Sequence, residues 1–342
     1  MMHILPPPNS APSGVGSLPH TSPLDACNDV LLYQPEFPTA PTLPSLNPLE
    51  AIIIRDAEYL PGGVLQGNSL HLDRSIDFSE AMEQIYLDFM EENYQKYAPT
   101  HEGYASGYYE LAGRDLSDVM CIKVQVTGPV TFGLTITDKD RRPIAYDAQY
   151  FDMLSKMLAL RARWYESLME QTHTPHTLVI IDEPYFAALG SSVMQIDTGM
   201  VEASFEDFST LIQGGIGFHC CSNTDWGFLM SLSPSLISFD AYAYSKEFLL
   251  YKEQIASYLE NGGVIAWGIV PAEVDKFREE NIDSLYEQYL TIRTEVTQYI
   301  PEELFDARAM ITPSCGLRLA DVPSSIDIMK TVMEISNRVR LL

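Results

Sequence analysis

Short runs rich in β-formers alternate with longer amphipathic stretches along most of this chain, and that rhythm limits its fold more than any other feature. The runs are "CIKVQVTGP", "TLVIIDEP", "GIGFHC", "LISFDAY", "GVIAWGIV" and "AMITPSC". Between them lie "YFDMLSKMLALRARWYESLMEQ", "EDFSTLIQ", "EFLLYKEQIASYLEN" and "IDSLYEQYLTIRTEVTQYI", whose apolar residues recur at helical spacing. Strand, helix, strand at this spacing calls for a parallel sheet, because parallel neighbours need a crossover long enough to hold a helix. Adding "SGVGSL" and "PTAPTL" brings the strands to about eight, the number that closes a (β/α)8 TIM barrel. The alternative, an open doubly wound sheet, would want a glycine-rich phosphate turn after its first strand, and none is present. The expected organisation is one α/β domain over residues 13–342 behind a proline-rich arm, 1–12. A small excursion is expected after the second strand. There "AIIIRDAEYL" and "LHLDRSID" flank a "PGG" turn, and "SEAMEQIYLDFMEENYQKYA" reads as a helix.

Composition narrows the partners. With 342 residues, 46% of them hydrophobic, the chain can bury a large core. A formal net charge of −26 would repel nucleic acid and anionic membrane surfaces, so neither is expected as a partner. No run approaches the roughly 18 apolar residues needed to span a bilayer. "MMHILPPPNSAPSG" has no basic region leading into an apolar core, so a secretory signal is not expected. An odd, sparse set of 5 cysteines suits free thiols in a reducing compartment, and the expected location is cytoplasmic.

The chemistry gathers where the β-runs end: Thr127, Asp182 with Glu183, His219-Cys220-Cys221, Asp240 and Cys315. In a barrel these C-terminal ends meet on the face that carries active sites. His219 and Cys221, two apart, share one face of an extended strand, and Cys220 points the other way. Zn²⁺ favours cysteine sulfur and histidine nitrogen and accepts a carboxylate, so Asp240 and Cys315 could complete a tetrahedron. Such a metal lowers the pKa of a thiol and holds the thiolate, which is a route to thiol alkylation. Packing accounts for "HCC" equally well, since free cysteine is among the most buried residue types. In "IDEPYF" at most one of Asp182 and Glu183 points into the barrel mouth, to meet a substrate ammonium or act as a base. Both could instead favour a helix N-terminus ahead of Pro184. "GVGS", Gly14 to Ser17, is suited to a carboxylate or to a tight turn.

Taken in order, "GVGSLPHTSP", "KVQVTGPVTFG", "IDEPYF", "GFHCCSNTDW", "ISFDAYAY" and "ITPSCGL" resemble the catalytic barrel of the cobalamin-independent methionine synthase family. That family lies within the superfamily that includes uroporphyrinogen decarboxylase. The resemblance implies zinc held by His219, Cys221, Asp240 and Cys315, with Asp240 one methylene shorter than the family's glutamate. It implies homocysteine bound by Val15, Gly16, Ser17 and Asp182, with Glu102 matching the glutamate that faces the substrate ammonium.

Departures from the family are as informative. Full-length members have two barrels, and this chain has room for one. Thr135 stands where the family stacks a tryptophan on folate, Ala188 where a glutamate contacts folate, and Gly268 where a histidine donates a proton. The short members with this pattern imply a methylcorrinoid donor, methylcobalamin or a methylated corrinoid protein, since cob(I)alamin leaves without protonation. The expected function is therefore zinc-dependent methyl transfer from a corrinoid to homocysteine, giving methionine. The alternatives are another thiol acceptor such as coenzyme M, a uroporphyrinogen-decarboxylase-like lyase, or a non-catalytic corrinoid-binding module. The lyase would want arginines near the first strand, and "GVGSLPHTSP" has none.

Overall fold

A computed structural model describes residues 2–67, 69–189 and 196–342. Nine strands follow one another among these residues: β1 (Ala11–Pro12), β2 (Gly63–Gln66), β3 (Ser69–Leu72), β4 (Ile122–Thr127), β5 (Thr177–Asp182), β6 (Gly215–Cys220), β7 (Leu236–Phe239), β8 (Val264–Val270) and β9 (Ala309–Pro313). Seven of them form one curled parallel sheet in the order β1-β9-β8-β7-β6-β5-β4. β2 and β3 pair antiparallel and form the expected excursion. All six long β-runs of the sequence are strands of the large sheet.

Period-two alternation sorts the side chains. Leu178 and Ile180 of β5, Leu236 of β7, Val264 and Ala266 of β8 and Met310 of β9 pack together with Ala11, Phe37 and Cys121 as an inner core. The alternate residues pack against the helices, among them Ala148–Glu170, Thr198–Leu211, Ile282–Val296 and Val322–Val339. The last of these went unread in the sequence, although Asp321 caps it and a proline stands in its first turn. No helix among the described residues is long and apolar enough to cross a membrane.

Two boundaries differ from expectation. The stretch expected as an arm carries β1, and its Leu5 is 1% exposed within the inner core. Leu5 packs beside Gly215 at the start of β6, where an added Cβ would lie 2.9 Å from it. "PTAPTL" does not become a strand. It makes isolated parallel bridges, Ser13 with Phe37 and Ser17 with Thr42 on one side and Thr39 with Lys123 on the other. Pro38, Pro41 and Pro44 have no N–H to give to a ladder.

Above Lys123, side chains take over the free edge of β4. Gln125 N–H donates to the Tyr108 hydroxyl (2.9 Å), and Arg55 Nη2 donates to Gln125 C=O (2.6 Å). Thr127 N–H donates to Asp56 Oδ2 (2.8 Å). Arg55 and Asp56 pair at 3.2 Å, and the Tyr165 hydroxyl donates to Asp56 Oδ1 at 2.9 Å. An ion pair this buried holds only because nearly every donor and acceptor around it is satisfied.

Candidate metal and substrate site

His219 is the last inward-facing residue of β6 and sits directly opposite Ser238 of β7. The Ser238 hydroxyl lies 2.9 Å from His219 Nδ1. Nε2, buried, has no hydrogen-bond partner among the described residues. A histidine so held, with its second nitrogen free, is prepared for a metal ion. The chain turns after β6 and brings Cys221 back beside it, and the loop after β9 delivers Cys315. The ligand atoms of His219, Cys221 and Cys315 all lie within 4.8 Å of one another. The Cys315 thiol and the His219 ring beside it draw Cys221 down to about 4, while the neighbouring Cys221 and burial push the Cys315 thiol up. One nitrogen and two sulfurs at this spacing match the donor set zinc prefers. Cys220 is fully buried in the outer core, with its sulfur toward Ser222 C=O.

Asp240 lies outside this triplet. It caps the helix Ala241–Phe248, with Oδ1 accepting from Ala243 N–H at 2.8 Å. Burial pushes its carboxyl up to about 6.

A cavity of about 630 Å³ opens over the triplet, within the range of about 300–1,000 Å³ that buries a small organic ligand. Its lining includes Val15, Ser17, Gln125, Asp182, His219, Cys221 and Cys315. Ile52, Ile53, Ile54, Leu70, Ile136 and Arg318 line it as well. Asp182 is the acid of "IDEPYF" that faces inward. Its Oδ1 is buried without a partner among the described residues, and burial raises its carboxyl to about 7. Glu183 turns away and accepts from Val130 N–H (2.9 Å) and Thr131 N–H (2.7 Å) at the start of the helix Pro129–Thr135. Ser17 packs on Gly316, where an added Cβ would lie 2.1 Å from the serine hydroxyl. Gly16 lies just behind this wall, in a small adjoining pocket.

Glu102 is exposed on the 3-10 turn Glu102–Tyr104 and does not line the cavity, because Asn47 and His101 hold that turn on the outside of the fold. The glutamate that does line it is Glu50, buried and held by Leu43 N–H (2.6 Å) and Ser106 N–H (2.8 Å). Neither Glu50 nor Gln125 stood out in the sequence. Gln125 was readable by alternation, two residues before Thr127 on the same strand. Glu50 ends the short 3-10 turn Pro48–Glu50, where no such alternation points it inward.

No protein-family model matches the sequence, and no curated protein matches it. Among solved structures, the chain is similar to a B12-independent methionine synthase from Shewanella sp. W3-18-1 in complex with selenomethionine. The identity is 14%, 98% of both chains is covered, and the TM-score is 0.54. What the two share is the fold. A protein from Listeria monocytogenes, assigned as a vitamin-B12 independent methionine synthase, is similar at 14% identity over 96% of this chain and 98% of that one, with a TM-score of 0.55. Both likenesses run nearly end to end.

Proposed function

We propose that this chain is a zinc-dependent methyltransferase that moves a methyl group onto the thiol of homocysteine, giving methionine. The triplet of His219, Cys221 and Cys315 carries the reading, because its donors suit zinc and open into a cavity of small-molecule size. The two similar structures, both described as methionine synthases, support the same acceptor. The fold that goes with it is a closed (β/α)8 barrel, supported by the bridges of residues 37–42 to both edges of the sheet. A cytoplasmic setting is supported by 5 free cysteines.

His219, Cys221 and Cys315 would hold the metal, with Asp240 as a fourth donor through Oδ2, since Oδ1 serves the helix cap. Zinc bound there supplies a Lewis acid that keeps an incoming thiol deprotonated at neutral pH. Asp182, with Oδ1 free, takes the acceptor's ammonium, and the Val15-Gly16-Ser17 turn takes its carboxylate. The thiol proton goes to solvent. The sulfur electron pair then forms the new S–CH3 bond while the bond from methyl to donor breaks, and that electron pair leaves with the donor. Glu102, outside the cavity, has no part in this scheme.

For the donor we propose a methylated corrinoid, free or carried by a corrinoid protein. Thr135 lines the cavity without an aromatic face to stack on a pterin. At Gly268 an added Cβ would lie 2.3 Å from Phe239 C=O, so no proton-donating side chain fits there. The neighbours' description as B12-independent points the other way, and the donor is therefore tested directly. Atomic emission on the purified protein should find stoichiometric zinc. Homocysteine should be methylated from methylcobalamin and not from methyltetrahydrofolate. Turnover on folate alone would remove the corrinoid and keep the methyl transfer, whereas protein without zinc would remove the whole reading.

A further inference from the structure

Gln125 occupies a place that three separate features of the fold serve. It faces inward from β4, 5% exposed, and lines the cavity between Ser17 and Asp182. Gly16 makes way for it. The backbone there has φ +142°, and a Cβ would lie 1.8 Å from Gln125 Oε1, so only glycine lets the carboxamide in. Its main chain is clamped on the open edge of the sheet by two fully buried side chains, Arg55 at the carbonyl and Tyr108 at the N–H. A carboxamide carries both donor and acceptor atoms on one rigid plane. Sharing the cavity with the Ser17 hydroxyl and an Asp182 oxygen that has no partner among the described residues, it can meet both charges of an α-amino acid.

We infer that Gln125 is a specificity-determining residue of the acceptor subsite: with Asp182 and Ser17 it reads the ammonium-carboxylate end of the acceptor, selecting an α-amino-acid thiol over a simple mercaptan. The inference rests on the methyl-acceptor reading above and deepens it. A thiol such as 2-mercaptoethanesulfonate has a single anionic end and no ammonium, so it leaves half of this arrangement unpaired. Buried polar groups left unpaired are what give such a site its selectivity.

The test compares zinc-loaded wild type with Gln125→Met, which keeps the side-chain volume, and Gln125→Ala. Calorimetry measures homocysteine and 2-mercaptoethanesulfonate binding, and steady-state assays measure KM and kcat. Homocysteine Kd and KM should rise about tenfold or more in both variants, the worth of one hydrogen bond to a charged group. The Kd for 2-mercaptoethanesulfonate, kcat and zinc content should stay within about twofold. Equal weakening of both thiols, or unchanged homocysteine binding in the Met variant, overturns the selectivity role and leaves the methyltransferase reading in place. Wild type that binds zinc but not homocysteine overturns both.

Discussion

The two sides of the cavity mouth are built differently. On the β6–β9 side, His219 and Ser238 project from regular, paired strands, and Cys221 and Cys315 follow within a residue or two of strand ends. On the β4 side no continuous strand among the described residues stands beside the sheet, and Arg55, Asp56 and Tyr108 supply the hydrogen bonds a strand would have made. The contrast teaches where function and stability separate. Side chains carried at the ends of a paired ladder can be changed without loosening the sheet, whereas a side-chain seam is itself part of what keeps the sheet curled.

The sharpest way to break that contrast is to remove a sulfur. Cys221→Ser or Cys315→Ser should abolish stoichiometric zinc and lower turnover about a thousandfold or more, with the melting temperature moving by no more than about 4 °C. Metal analysis beside a thermal melt reads both. A collapse of the fold instead would make the thiols packing residues. Arg55→Met should do the reverse. It strands Asp56 in the interior and should cost about 3–5 kcal/mol in urea denaturation, while the purified folded protein still carries zinc.

A milder change on the ligand side is Ser238→Ala, which frees His219 Nδ1. Zinc affinity in a chelator competition should fall about 10- to 100-fold with stability nearly unchanged. The smallest effect belongs to Glu183, which caps a helix on the β4 side. Burial raises its carboxyl from 4.5 to about 7, against hydrogen bonds from Thr131 and Val130 that favour the anion. Between those values the folded chain keeps a proton that the unfolded chain has lost. Its contribution to stability is therefore full below pH 4.5 and fades as pH rises through about 7. Urea melts of metal-free Glu183→Gln across that range should show a shallower loss of stability with pH than wild type.

Legibility followed the same divide. His219, Cys221 and Cys315 could be read because strand ends in a parallel sheet share one face, so three distant positions inherit one location from a local pattern. The inward turn of Asp182 was narrowed by alternation to one residue of a pair. Glu102 rested on a loose match in a turn, where no periodicity ties sequence to direction. Glu50 and Arg55 were missed for a related reason. Each matters through a distant partner, Ser106 for Glu50 and Gln125 for Arg55, and nothing local marks them.

What the sequence determined by itself was therefore the periodic part: the alternation that makes a parallel sheet, and the period of two that points His219 inward and Cys220 out. Tertiary structure alone decided that a proline-broken segment would make isolated bridges to the sheet without becoming a strand. It also decided that a buried ion pair would hold the seam, and that Gly16 would open a place for Gln125. Periodic facts are written into neighbours along the chain. Closure and clearance depend on distant segments arriving at one place, and only the folded protein brings them there.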